Sequence, residues 1–134
     1  MLEFAQLVID YFTSKELQFE TREIPDGGVV VHVPFKDLSI NMIFNGEKGE
    51  YLSFYYQVAS VPDEKLANLI VVCNKLNSTY KWLKFYVDDD KDIMAQDDAI
   101  LTEENAGDET FELLFRGIKI VNDVKPIIMK AIYA

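Results

Sequence analysis

Between Val29 and Ala59 the chain reads three times over as an extended apolar segment, with only two short breaks, and that pattern admits little except a meander of antiparallel strands. Residues 29–35 are β-branched and nearly continuous, as expected of a well-buried strand. Lys36-Asp37 then makes a tight connection to residues 38–44, in which Ile40, Met42 and Phe44 share one face. Asn45-Gly46-Glu47-Lys48-Gly49 is a hairpin loop whose glycines can take positive φ. Residues 51–59 follow, with Leu52, Phe54, Tyr56 and Val58 on one side. Pro34 has no backbone donor, so the first strand is expected to end there or to run along a sheet edge.

The flanking segments change period. Leu2, Ala5, Val8, Ile9 and Phe12 recur at helical spacing and predict a helix over residues 1–14. Leu17, Phe19 and Thr21 alternate with polar residues, a short extended piece that ends at the Pro25-Asp26-Gly27-Gly28 turn. Val61-Pro62-Asp63-Glu64 starts a helix, its acids placed where the helix dipole favours them. Leu66, Leu69, Ile70, Cys73 and Leu76 form its stripe, which ends near Ser78. Residues 82–87 and 93–101 read as a second, less apolar hairpin around Asp88-Asp89-Asp90-Lys91. A last helix is expected over 108–133, burying Phe111, Leu114, Phe115, Ile118, Val121, Ile128 and Ile132, with a kink or break at Pro126. Ile120, Val124 and Ile127 fall off that stripe. The order is α-β-β-β-α-β-β-α, with five strands. Strands grouped in runs rather than alternating with helices predict an α+β fold, an antiparallel sheet packed against helices. At 134 residues the chain is expected to form a single domain over 1–134.

Charge narrows the partners. With 13 basic and 23 acidic residues the formal charge is −10, which repels phosphate backbones and anionic lipid headgroups. Neither a nucleic-acid nor a membrane partner is expected. A lone cysteine, Cys73, rules out an intramolecular disulfide, and its Val71-Val72 flank predicts a buried thiol. No apolar run approaches the ~20 residues needed to span a bilayer, and the N-terminus shows no signal-peptide pattern. A cytoplasmic location is the simplest expectation.

Each residue set that could carry chemistry has a simpler structural reading. Asp88, Asp90 and Asp92 have the spacing that opens a calcium loop, yet Ile93 stands where glycine is needed and Ala99 where a bidentate glutamate is needed. His32, the only histidine, sits among valines in a strand and lacks a neighbouring nucleophile or acid in the sequence. With one His and one Cys, zinc sites of the usual kind have almost no material. The glycines match neither a dinucleotide fingerprint nor a phosphate loop. Tyr51, Tyr55, Tyr56, Trp82 and Tyr86 could stack on bases, but only Lys81 and Lys84 lie beside Trp82. No catalytic, metal or cofactor residue is assigned.

Val71-Val72-Cys73-Asn74-Lys75-Leu76-Asn77 closing a helix, then Trp82-Leu83-Lys84-Phe85-Tyr86-Val87-Asp88-Asp89-Asp90 leading into a hairpin, then a long final helix carrying Pro126, together resemble the YbjN family of bacterial domains. Lys91 stands in the hairpin turn where many relatives are expected to carry glycine. The resemblance implies a type III secretion chaperone-like fold, shared with small acidic chaperones that dimerise and hold unfolded segments of partner proteins. Members are described as sensory transduction regulators, a label without a defined mechanism, and no catalytic residues carry over. The expectation is therefore a non-enzymatic protein-binding or regulatory domain that takes a protein or peptide segment and forms a homodimer. Tyr55, Trp82 and Tyr86 are the expected partner-binding residues. Two alternatives stand beside it: a small enzyme with an unrecognised carboxylate or metal site, and a structural subunit of a larger assembly.

Overall fold

The computed structural model describes residues 1–134. The meander forms as the alternation requires. β2 (Val29–Phe35), β3 (Leu38–Asn45) and β4 (Tyr51–Ser60) pair antiparallel, Val31 standing opposite Met42 and Met42 opposite Phe54. One face of all three is buried: Val29, Val31 and Val33, then Ile40, Met42 and Phe44, then Leu52, Phe54 and Tyr56. Gly46 (φ 93°) and Gly49 (φ 83°) turn the β3–β4 loop through left-handed backbone, as read from the sequence.

The extended piece after the first helix does more than its pattern announces. As β1 (Glu20–Glu23) it pairs with β2, so the sheet has six strands in the order β1-β2-β3-β4-β6-β5 rather than five. All four β1 residues are exposed, so no apolar alternation marks the strand; backbone pairing alone defines it. Pro34 lies past its end, since Glu20 pairs with His32. The two-residue turn makes Phe35 and Leu38 a bonded pair, which points the Pro34 nitrogen away from β3 into an unoccupied edge position.

The second hairpin, β5 (Lys84–Val87) and β6 (Asp92–Ile100), docks through β6 onto β4. Its turn is held by Asp88, whose Oδ1 accepts the N–H groups of Asp90 at 3.0 Å and Asp92 at 2.9 Å. The Asp92 carboxylate accepts from Gln57 at 3.2 Å and Ser60 at 3.0 Å. Two of the three calcium-like acids are thus engaged in closing the hairpin. Lys91 adopts φ 61°, a backbone conformation natural to glycine, and this explains why a glycine is expected at that position in relatives.

Three helices cover the buried face: α1 (Glu3–Ser14), α2 (Leu66–Thr79), entered through a 3-10 turn at Asp63–Lys65, and α3 (Asp108–Tyr133). α2 buries Leu69, Cys73 and Leu76, whereas Ile70 points to solvent, contrary to the stripe read from the sequence. α3 buries Leu114, Ile118, Val121, Val124, Ile128 and Ile132. Val124, expected off the stripe, is fully covered, because a helix wedged between sheet and α2 buries a broader arc than one packed on a single neighbour. Phe111 and Phe115 are only partly buried and pack on each other with ring centroids 4.8 Å apart. The helix runs unbroken through Pro126. Pro126 and Asn122 are both exposed, so the Asn122 carbonyl that loses its helical donor faces water.

Two contacts fix how the layers meet. Tyr56, in the middle of β4, donates its hydroxyl to the Leu114 carbonyl at 3.2 Å, and α3 approaches it at Gly117 so closely that a Cβ there would stand 2.0 Å from the hydroxyl oxygen. At the far edge of the sheet, Asn77 of α2 turns its amide onto β5. Its Nδ2 donates to the Phe85 carbonyl at 3.0 Å and its Oδ1 accepts the Phe85 N–H at 2.6 Å, so one side chain takes the place of a neighbouring strand.

Candidate functional site

Because side chains alternate along a strand, the residues between the buried ones form a second sheet face, and no helix lies on it. Among the side chains it presents, from Val30, His32, Asn41 and Ile43 through Ser53, Tyr55, Gln96 and Asp98 to Lys84 and Tyr86, only Val30 is buried. Tyr51 and Ile100, a cross-strand pair, are 55% and 70% exposed. An antiparallel sheet with one solvated face usually presents polar residues there; these aromatic and aliphatic residues depart from that rule.

The polar groups on this face are joined. Tyr86 donates to Gln96 Oε1 at 3.0 Å, Gln96 donates to Asp98 Oδ1 at 3.0 Å, and Ser53 donates to the same oxygen at 2.7 Å. Lys84 stands 3.7 Å from the other Asp98 oxygen. Partial burial works to raise the Asp98 carboxyl, yet the hydrogen bonds from Ser53 and Gln96 and the Lys84 charge hold it below the usual carboxylate range. Burial, reinforced by Tyr55, Asp88 and Asp98, moves the Tyr86 hydroxyl upward, so it stays a protonated donor. His32 bonds Asn41 across β2 and β3 at 2.9 Å, a satisfied sheet-surface histidine.

Of the three residues expected to bind a partner, Tyr55 and Tyr86 share this face. They flank the β6 pair Gln96 and Met94, Tyr55 opposite Gln96 and Tyr86 opposite Met94. Trp82 lies two residues before β5, 56% exposed at φ 75°, and lines a shallow hollow with Lys84, Gln96 and Asp98 at the end of the same face. Tyr56 is different: it is core. The sequence reading missed Ser53, Gln96, Asp98 and the pair Tyr51–Ile100. Their period-2 spacing in β4 and β6 was visible, but their meeting depends on β6 docking beside β4, which spacing does not reveal.

Asp97 faces the other way, into the helix-covered side opposite Phe54, where burial and the neighbouring Asp98 charge raise its carboxyl to about 6, against the pull of the Asp98 N–H at 2.9 Å. No three His, Cys, Asp or Glu side chains are grouped to hold a metal ion. Cys73 is buried in the core, which pushes its thiol upward and disfavours the thiolate. No helix is long and apolar enough to cross a membrane.

Six antiparallel strands with three helices on one face define an α+β fold of the type III secretion chaperone kind. A chain in the crystal structure of the ExsC-ExsE complex shares it over 96% of this chain and 97% of that one, with a TM-score of 0.52. At 11% identity the likeness is one of fold. The chain itself belongs to the YbjN family, whose sequence model, described as "Putative bacterial sensory transduction regulator", matches residues 5–120. No curated protein matches it.

Proposed function

We propose that this chain is a non-enzymatic, cytoplasmic protein-binding regulator, a single chaperone-like domain that holds a segment of a partner protein against the open face of its sheet. The observation that carries the reading is the uncovered face itself: Tyr51, Tyr55, Tyr86 and Ile100 stand on it around a joined set of polar groups, with Trp82 at its end. Aromatic side chains that combine an apolar body with a hydrogen-bonding tip are favoured at protein interfaces. Membership of a family described in terms of regulation, and a fold shared with a chain from the ExsC-ExsE complex, support the same reading.

The test is capture from a bacterial cytoplasmic lysate on immobilised wild-type chain and on the double variant Tyr55→Ala/Tyr86→Ala, compared by quantitative proteomics. A partner enriched on the wild type and lost on the variant is expected; equal capture by both contradicts the reading. Homodimerisation belongs to the same proposal: of the three α3 residues off the predicted stripe, Val124 is buried and Ile120 packs on the core, so its support is the exposed Tyr51–Ile100 pair on the open face. A monomer mass in sedimentation at micromolar concentration removes the homodimer.

A further inference from the structure

On the side of the molecule away from the open sheet face, the second half of α2 and the last turns of α3 leave a groove of about 500 Å³ between them, the size of an ordinary ligand cleft. Its walls are apolar: Val72 and Leu76 from α2, Ile127 and Ala131 from α3, with Ile127 47% exposed. Both side-chain charges at its rim are positive, and Ala134, with its carboxylate, lies at one end of the groove. Lys75 stands on the α2 wall and Lys130 on the α3 wall, while not one of the chain's 23 acidic residues lines the groove. Neither lysine makes a salt bridge within the chain, so both ammonium groups are available to a partner. In a molecule of net charge −10, an apolar strip with a lysine on each wall and no Asp or Glu along it stands apart from the acidic composition of the rest of the chain.

We infer that this groove docks an amphipathic segment of a partner protein, its apolar residues lying between α2 and α3 and its flanking Asp or Glu residues meeting Lys75 and Lys130. A lysine on each wall fits a segment with carboxylates on both flanks better than a ligand with a single acidic head. The mode is that of an amphipathic helix seated in a groove, with charge at the rim selecting the sequence. The inference rests on the protein-binding reading but uses a different surface, and the two can fail separately.

Random peptides of about 12 residues displayed on phage are selected on the immobilised full chain, and the recovered sequences are measured by fluorescence anisotropy against three proteins. These are the wild type, Lys75→Glu/Lys130→Glu and Tyr55→Ala/Tyr86→Ala, each first checked for folding by circular dichroism. The expected binders carry apolar residues at helical spacing flanked by Asp or Glu. They lose roughly tenfold or more in affinity with the reversed lysines, weaken as salt is raised, and bind the tyrosine variant as tightly as the wild type. Failure to recover binders, binders without acidic enrichment, or binders indifferent to lysine reversal overturns the inference. So does a dimer in sedimentation that Ile127→Arg dissociates, because the occupant is then a second copy of the chain. Peptides that depend on Tyr55 and Tyr86 instead favour the open face and likewise overturn it.

Discussion

Replacing Gly117 by alanine is a sharp test of how α3 sits on the sheet, because elementary helix chemistry and the packing give opposite signs. Gly117 lies inside a 26-residue helix, where glycine to alanine normally stabilises by about 1 kcal/mol. Here the new Cβ would stand 2.0 Å from the Tyr56 oxygen and 2.3 Å from the ring carbon that bears it. Tyr56 has no exposed surface and its ring lies nearly parallel to that of Phe54, so it has little room to turn aside. Either α3 lifts by about 1 Å or the ring leaves its rotamer, and overpacking of that kind costs about 1–3 kcal/mol or more. The net expectation is a loss of about 2 kcal/mol in the free energy of unfolding measured by urea titration. Tyr56→Phe alone should cost about 1 kcal/mol through the hydrogen bond to Leu114. In a Tyr56→Val background the ring is gone, and Gly117→Ala should turn neutral or stabilising, leaving a large coupling energy in the cycle. If Gly117→Ala stabilises the wild type, or costs the same in both backgrounds, the close approach of helix and sheet is wrong.

Asp97→Asn tests the carboxylate on the covered face. Burial raises that carboxyl from 3.8 to about 6, so its contribution is most favourable below about pH 4 and is lost as pH rises through 6. The shift sets an upper bound of about 3 kcal/mol, which solvent screening of a half-buried group reduces to about 1 kcal/mol. The variant should exceed the wild type by that amount at pH 8 and match it near pH 4; parallel stability curves across that range reject the assignment. Lys91→Gly should be more stable than Lys91→Ala by about 1 kcal/mol, since only glycine takes φ 61° without strain. Equal thermal midpoints contradict that reading of the turn. Asn77→Ala removes both bonds to Phe85 and should cost about 1–3 kcal/mol, with faster hydrogen exchange confined to β5; unchanged exchange there refutes the role given to the amide.

The sequence carried the fold wherever apolar period and turn chemistry coincide. The meander, the second hairpin and the three helices follow from alternation, from glycines at the β3–β4 loop and from the acidic start of α2. What it could not carry are features made by contact between distant segments. β1 has no apolar face and exists only because β2 offers it a ladder. Val124 is buried because α3 is flanked on two sides, and Ile70 is exposed because α2 turns a narrower arc inward than its composition allows. Tyr55 and Tyr86 stand out in the sequence by their chemistry, but their common face is set by β6 docking between β4 and β5. The Tyr56–Gly117 contact gave no local signal at all.

The amide of Asn77 has a consequence for how copies of this protein could associate through their backbones. A sheet open at both ends can recruit strand after strand, which is the geometry of a growing fibre. Here one end is already occupied at Phe85, so the only free ladder belongs to β1. Two molecules joined through the same single edge must face each other about a two-fold axis, and that union consumes both free edges. Edge-to-edge association therefore terminates at two copies, and the exposed Glu20, Arg22 and Glu23 discourage even that step. A side chain that satisfies two backbone groups thereby makes polymerisation through strand addition self-limiting.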